Sequence, residues 1–132
     1  MIKQKVFIDF LKDYISDNTW KIKAEYSTND NDTKVIVVQE QTGQKVVFYG
    51  DVDPLYNYYQ IVIYGTSIEE NKEMALKINE LIGTDNSQIK GNKTYQILIK
   101  QFSNFQTIEY MDIRRVGYAG IVQCIISKIK EA

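Results

Sequence analysis

The sequence contains no histidine at all, a single cysteine, a single proline and only seven glycines. Without histidine it lacks the commonest general base and metal ligand, and with them the Ser-His-Asp and Cys-His arrangements of nucleophilic catalysis. One cysteine can form neither an internal disulfide nor a cysteine-based zinc site. Cys124 stands in an apolar run and reads as a buried thiol. The glycines, at 43, 50, 65, 83, 91, 117 and 120, are scattered, and none is directly followed by Lys-Ser or Lys-Thr, so no phosphate-binding loop is present. With 44% hydrophobic and 25% charged residues, the composition excludes a disordered or collagen-like polymer.

Charge of one sign is also lacking. Sixteen basic residues face seventeen acidic ones, and a net charge of -1 gives no global attraction to a nucleic-acid backbone or an anionic membrane. The charged start Met1-Ile2-Lys3-Gln4-Lys5 is followed by Asp9, Lys12 and Asp13, so no secretory signal is expected. The longest nearly apolar run, Tyr118 to Ile126, is far short of the roughly 18 residues a membrane span needs. Asn31-Asp32-Thr33 and Asn92-Lys93-Thr94 read as polar loops.

A chain of 132 residues has the size of one domain, and no linker or fixed-period repeat divides residues 1–132. Phe7, Phe10, Leu11 and Tyr14 repeat at helical spacing within Lys3 to Asp17. Trp20 to Tyr26 alternates as a strand, Lys34 to Gln39 is a β-branched run suited to a strand covered on both faces, and Lys45 to Tyr49 follows a tight turn. Pro54 ends a loop, and Tyr58 to Gly65 alternates as a long strand. Ser67 with Glu70 three residues on predicts a capped helix, Ile68 to Ile82, stopped by Gly83. Thr84 to Lys93 reads as a polar loop, Tyr95 to Phe102 and Thr107 to Ile113 as two strands, and Tyr118 to Ile129 as the last. The expected fold is α+β: a mainly antiparallel, mixed sheet of about five to six strands with two helices on one face.

For chemistry, carboxylates remain. Asp51 and Asp53 could share a hard cation, but Asp-x-Asp-Pro between strands reads first as a turn bonding its own backbone, and Glu69 and Glu70 read as helix-start residues. No catalytic residue, metal site or cofactor is assigned. The ten tyrosines are the other feature: Tyr56, Tyr58, Tyr59 and Tyr64 crowd the loop and long strand. Tyrosine suits interfaces, and with no basic residue from Asp51 to Ser67, a protein partner fits this region better than single-stranded nucleic acid. Arg114 and Arg115, the only arginines, point opposite ways on an extended chain; either one pairs with a carboxylate of the same or a neighbouring chain, or both are solvated. The interface candidates are thus Asp53, Tyr56, Tyr58, Tyr64, Arg114 and Arg115, with the polar Thr84 to Lys93 segment beside them.

The helix Phe7 to Ile15, the turn Asp53-Pro54-Leu55-Tyr56, the strand Tyr59-Gln60-Ile61-Val62-Ile63-Tyr64-Gly65 and the helix Ser67 to Ile82 resemble the minor capsid and tail terminator proteins of long-tailed bacteriophages and prophages. In that family such a turn leads into an aromatic-Gln-apolar-x-apolar-x-Gly strand, and a helix with an Ala-x-x-Ile/Leu core follows. The resemblance implies a tail-terminator-like fold and a non-enzymatic virion protein. Its subunits form a ring, typically a hexamer, that caps the tail tube, ends its polymerisation and meets the head connector or neck. It implies assembly in the bacterial host cytoplasm, with partners among its own copies, the tail-tube protein and the connector, and with no membrane or sequence-specific nucleic acid. The alternatives are another neck or connector component, a carboxylate-dependent metal enzyme centred on Asp51 and Asp53, and a small host binding module.

Overall fold

The apolar stripe near the N-terminus forms helix α1, Ile2–Ile15, with Val6, Phe7 and Leu11 fully buried. A computed structural model describes residues 2–25, 34–40, 56–84, 86–112 and 115–128. The helix ends where Ser16 adopts a left-handed φ of 45° and its N–H donates to the Lys12 carbonyl at 2.9 Å, a cap that glycine more often supplies. Asp17 then closes a turn, its Oδ1 accepting from the backbone N–H of Thr19 at 2.9 Å and from its hydroxyl at 2.7 Å. These bonds, the hydroxyl's first, hold the Asp17 carboxyl below its ordinary value. Since the folded pKa is lowered, the turn's contribution is present above the unfolded carboxylate range, about pH 4, and is lost as pH falls through the folded pKa. Side-chain NMR titration should therefore place Asp17 below the ordinary aspartate value of about 4, and Thr19→Ala should return it toward that value.

Among the described residues six strands make one sheet in the order β1-β2-β3-β6-β5-β4. They are β1 Lys21–Lys23, β2 Val35–Glu40, β3 Tyr56–Gly65, β4 Asn86–Lys90, β5 Lys93–Asp112 and β6 Arg115–Lys128. Among these six strands β1 and β2 pair in parallel and the other neighbours pair antiparallel. The mixed α+β architecture expected from the sequence is present, with strands differing in extent. β1 is far shorter than Trp20 to Tyr26: Trp20 and Ile22 are buried as expected, but Ala24 is exposed, and a methyl group offers too little burial to extend an edge pairing. The expected turn at Gln41 to Gln44, the strand from Lys45 to Tyr49 and the Asp51 to Pro54 loop lie outside the described residues.

Two corrections concern the C-terminal half. Thr84 to Lys93 is not one loop, because Asn86–Lys90 forms β4, joined to β5 by a turn in which Gly91 has a φ of 66°. The two strands expected between Tyr95 and Ile113 are one continuous 20-residue strand, β5, whose register with β6 shifts between Ile99 and Gln101, Ser103 and Gln106, and Ile108 and Asp112.

Helix α2, Ile68–Asn79, follows β3 directly. Ser67 caps it, its hydroxyl accepting from the Glu70 N–H at 3.2 Å. The Glu70 carboxylate accepts from the Thr66 hydroxyl at 2.9 Å and pairs with Lys34 at 3.1 Å, so it locks the strand-to-helix joint to the start of β2. Past the helix, Gly83 takes the left-handed conformation, with φ 79°. Both helices feed one core: Phe7, Leu11, Met74 and Ile78 join Ile36, Ile61, Ile97 and Val122 in a single buried cluster. The helices are tied together at their ends, where the Tyr14 hydroxyl donates to the Lys77 carbonyl at 3.0 Å and Lys77 Nζ donates to the Ile15 carbonyl at 3.3 Å.

The sheet curls. Gln4 of α1 donates to the Val38 carbonyl on β2, and Asp9, five residues on, pairs with Lys90 of β4 at 2.9 Å. In a flat sheet β2 and β4 would stand four strand spacings, roughly 19 Å, apart, whereas five helical residues rise only about 7.5 Å. The register shifts in β5 supply that curvature, since bulges bend and twist a strand. On the opposite face Val35, Val37, Val62, Tyr64 and Ala119 form a second buried cluster, so the β-branched β2 is covered on both sides.

Candidate interaction surface

Of the six sequence candidates, the structure describes the side chains of Tyr58 and Tyr64, and these two do not share a surface patch. Asp53 and Arg114 lie outside the described residues, as do the side chains of Tyr56 and Arg115. Tyr58 is 36% exposed on β3, and its hydroxyl accepts from Gln123 Nε2 at 3.4 Å on the neighbouring β6. Tyr64 is 5% exposed and belongs to the second cluster, which occupies it within its own chain. Tyr58 pairs with Gln123, whereas Arg115 opens β6 opposite Asp112, eight residues or about 26 Å along the strand.

The surface that sequence reasoning passed over is the distal half of β5. Near Lys93 to Ile97 its outer edge carries β4, and at Ile99 it receives a parallel bridge from Ile82 and the Gly83 N–H at 3.2 Å. From Lys100 to Asp112 no described residue pairs with that edge. An open edge of this length is a template for another chain. In the middle of it sits Phe105, 39% exposed.

The bulge explains how Phe105 comes to lie there. Ser103 pairs with Ile121 and Gln106 with Ala119, so two residues, Asn104 and Phe105, oppose Gly120 alone. A Cβ at Gly120 would stand 2.8 Å from the Phe105 ring; the missing side chain lets that ring lie over the strand. There Phe105 stacks on Tyr118 with centroids 5.2 Å apart and meets Phe102 edge-on at 4.7 Å. It is a supported aromatic with one open side. The available signal was the absence of glycine and proline from Lys93 through Val116, which argues for one strand rather than two.

At the other margin of the sheet a cleft of about 460 Å³ lies between the end of α1 and β1, lined by Lys12, Ile15, Trp20, Lys21, Ile22 and Lys23 among others. Its floor is apolar and its rim carries lysines.

For covalent chemistry the described residues offer little. Cys124 is fully buried, and burial pushes its thiol up to about 12, which keeps it protonated and unreactive at neutral pH. Burial likewise raises the Tyr59 phenol far above its ordinary range. Among the described residues no three of His, Cys, Asp and Glu stand together as a metal site, and no helix is long and apolar enough to cross a membrane.

No family model and no curated protein matches the chain. A solved structure whose designation describes no activity is similar over 96% of this chain and 94% of its own, at 10% identity and a TM-score of 0.56. That likeness establishes the fold as one that recurs in a sequence almost wholly different from this one.

Proposed function

We propose that this chain is a non-enzymatic structural subunit of a phage tail, a tail terminator that caps the tail tube as a ring and meets the head connector. The observation that carries the reading is the position of the segment resembling that family. Tyr59 to Gly65 forms the centre of the sheet, paired with β2 on one side and β6 on the other, and the Ser67-capped helix packs back on β3 and β6. The rest of the chain is arranged around this unit, which leaves unlike edges at the two margins of one sheet. A subunit with two unlike edges is suited to head-to-tail contacts that close into a ring. On this reading the site is a set of protein contacts, the partners are other copies, the tube and the connector, and the protein ends up in the virion tail.

The test uses polymerising tail-tube protein from the same phage or prophage. Added chain should arrest elongation and shift the tube-length distribution downward in proportion to its concentration. An unchanged length distribution at saturating chain would remove the terminator role. Binding to preformed connector without any effect on tubes would point instead to a neck component.

A further inference from the structure

We infer that successive copies of this chain join edge to edge, the open half of β5 in one copy pairing with β1 of the next while Phe105 enters the cleft between α1 and β1. The inference rests on the ring reading for its closure, but the contact itself is argued from the ladder.

Following the register across the sheet, Lys21, Ile22 and Lys23 stand level with Val35, Ile36 and Val37, then with Tyr64, Ile63 and Val62, then with Gly117, Tyr118 and Ala119, and finally with Ile108, Thr107 and Gln106. The open stretch of β5 therefore lies at the same height as β1. β4 does not obstruct it, since it occupies the other half of β5, Lys93 to Ile97. Counting directions through the ladder, β1 and β2 run one way, β3 the other, β6 back again, and β5 opposite to β1. A rotation about an axis parallel to the strands therefore brings β1 of one copy beside β5 of the next in antiparallel orientation, with no sliding along the strands. Such a heterologous step closes into a ring when its angle divides the circle.

Side chains agree with the backbone. Lys21 N–H donates to the Lys34 carbonyl, which turns the peptide groups of Lys21 toward β2 and those of Ile22 outward. β1 carries two lysines in three residues, a formal charge of +2, whereas the open stretch Lys100 to Asp112 carries Lys100 against Glu109 and Asp112, a formal charge of -1. The two edges are thus opposite in charge, which favours the unlike pairing over either edge pairing with itself. Thr107, level with Ile22, is cross-strand from Tyr118, on the face where Phe105 stacks. That places the exposed side of Phe105 toward the neighbour's Ile15, Trp20 and Ile22, the apolar floor of the cleft. A half-exposed aromatic meeting an apolar cleft with a polar rim is the arrangement that concentrates binding energy at interfaces.

The test is a Lys23→Cys/Gln106→Cys double variant of the full chain, the two positions that the ladder sets level, oxidised with diamide at high protein concentration. Gln106 is exposed and Lys23 half-buried, three strands separate them within a copy, and buried Cys124 does not compete. A bridge within one chain would leave the protein monomeric on a non-reducing gel, which tells it apart from the ladder. The expected result is a ladder of covalent oligomers of three and more copies, with each single variant stopping at dimers. Adding Phe105→Asp should reduce the ladder about tenfold, as expected for loss of an anchor residue. Lys21→Glu, at an exposed position, should weaken self-association by sedimentation in a folded chain. Absence of the ladder in protein that sediments as oligomers overturns the edge contact and leaves the ring reading standing. Absence of both ladder and oligomers, with tube growth still arrested, also overturns it, because the ring would then owe nothing to this edge.

Discussion

Phe7→Ala should destabilise the fold by about 3–5 kcal/mol, the range for removing a fully buried phenylalanine. Phe7 has no exposed surface and stacks on Tyr59, itself fully buried, with ring centroids 5.1 Å apart and planes 13° from parallel. This pair fastens α1 to the central strand. Truncation leaves a cavity that the sheet cannot close, because Ile61, Ile97 and Val122 around it belong to strands paired on both sides. Domains of this kind have only about 5–15 kcal/mol in total, so thermal unfolding should fall by roughly 10–20 °C. Tyr59→Phe is the informative companion. The Tyr59 hydroxyl is buried with no hydrogen-bond partner among the described residues, so deleting it should change stability by less than about 1 kcal/mol or raise it. A large loss in that variant would mean the hydroxyl is partnered after all.

Gly65→Ala should cost nearly as much, for a reason of space rather than backbone freedom. Gly65 ends β3 beneath α2, and an added Cβ would overlap Asn71 Oδ1 while standing 3.3 Å from the Trp20 ring. Asn71 cannot retreat: it is fully buried, and its Nδ2 donates at 2.7 Å to the carbonyl of Val116 on β6, 45 residues away. The variant must either distort the strand-to-helix joint or break that bond. Overpacking costs about 1–3 kcal/mol and an orphaned buried carbonyl about 1–3 kcal/mol, so a urea melt should show a loss of at least one of these and of roughly 2–6 kcal/mol where both apply. Because both penalties act through one side chain, Gly65→Ala combined with Asn71→Ala should lose clearly less than the two single changes added together. Simple additivity would show that Asn71 is not what the methyl group strikes.

These two sites also indicate what could be read from the sequence and why. β3 and the start of α2 were legible because alternation and a serine cap act locally, whereas α2 ends at Asn79 with Glu80 as its C-cap, short of the expected Ile82 and its glycine stop. Also legible was the two-sided burial of Val35 to Val38, which a β-branched run signals by itself. β4 was not, because Asn-Ser-Gln-Ile-Lys has almost no apolar pattern, and its Ile89 points outward at 68% exposure. That strand is held by backbone pairing to β5 and by the Lys90 pair with Asp9, neither of which leaves a periodic trace. β5 appeared as two strands because the extra residue at Asn104 and Phe105 reverses the alternation midway, and register shifts depend on the partner strand. Tyr64 was expected at an interface with a partner, yet its face is packed by a second cluster that depends on residues far apart in sequence. Phe105 drew no attention for the same reason: its exposure depends on a bulge opposite Gly120.

The functional reading therefore moves from the tyrosines of β3 to the margins of the sheet, with Tyr58 the one sequence candidate described as surface. The electrostatic share of the proposed contact is set by the lysines of β1 and should weaken with salt, while the part owed to Phe105 should not. A ring that assembles only on its tube is compatible with a monomer in dilute solution, so solution mass alone does not decide the matter.

The central claim is that this chain caps a tail tube as a closed ring, and negative-stain imaging of tube ends after mixing tube protein with the chain tests it most directly. The account predicts that tube ends carry a ring of discrete subunits, most simply six, and that Phe105→Asp leaves those ends bare. Bare ends with the unaltered chain, at concentrations where it remains folded, would contradict it.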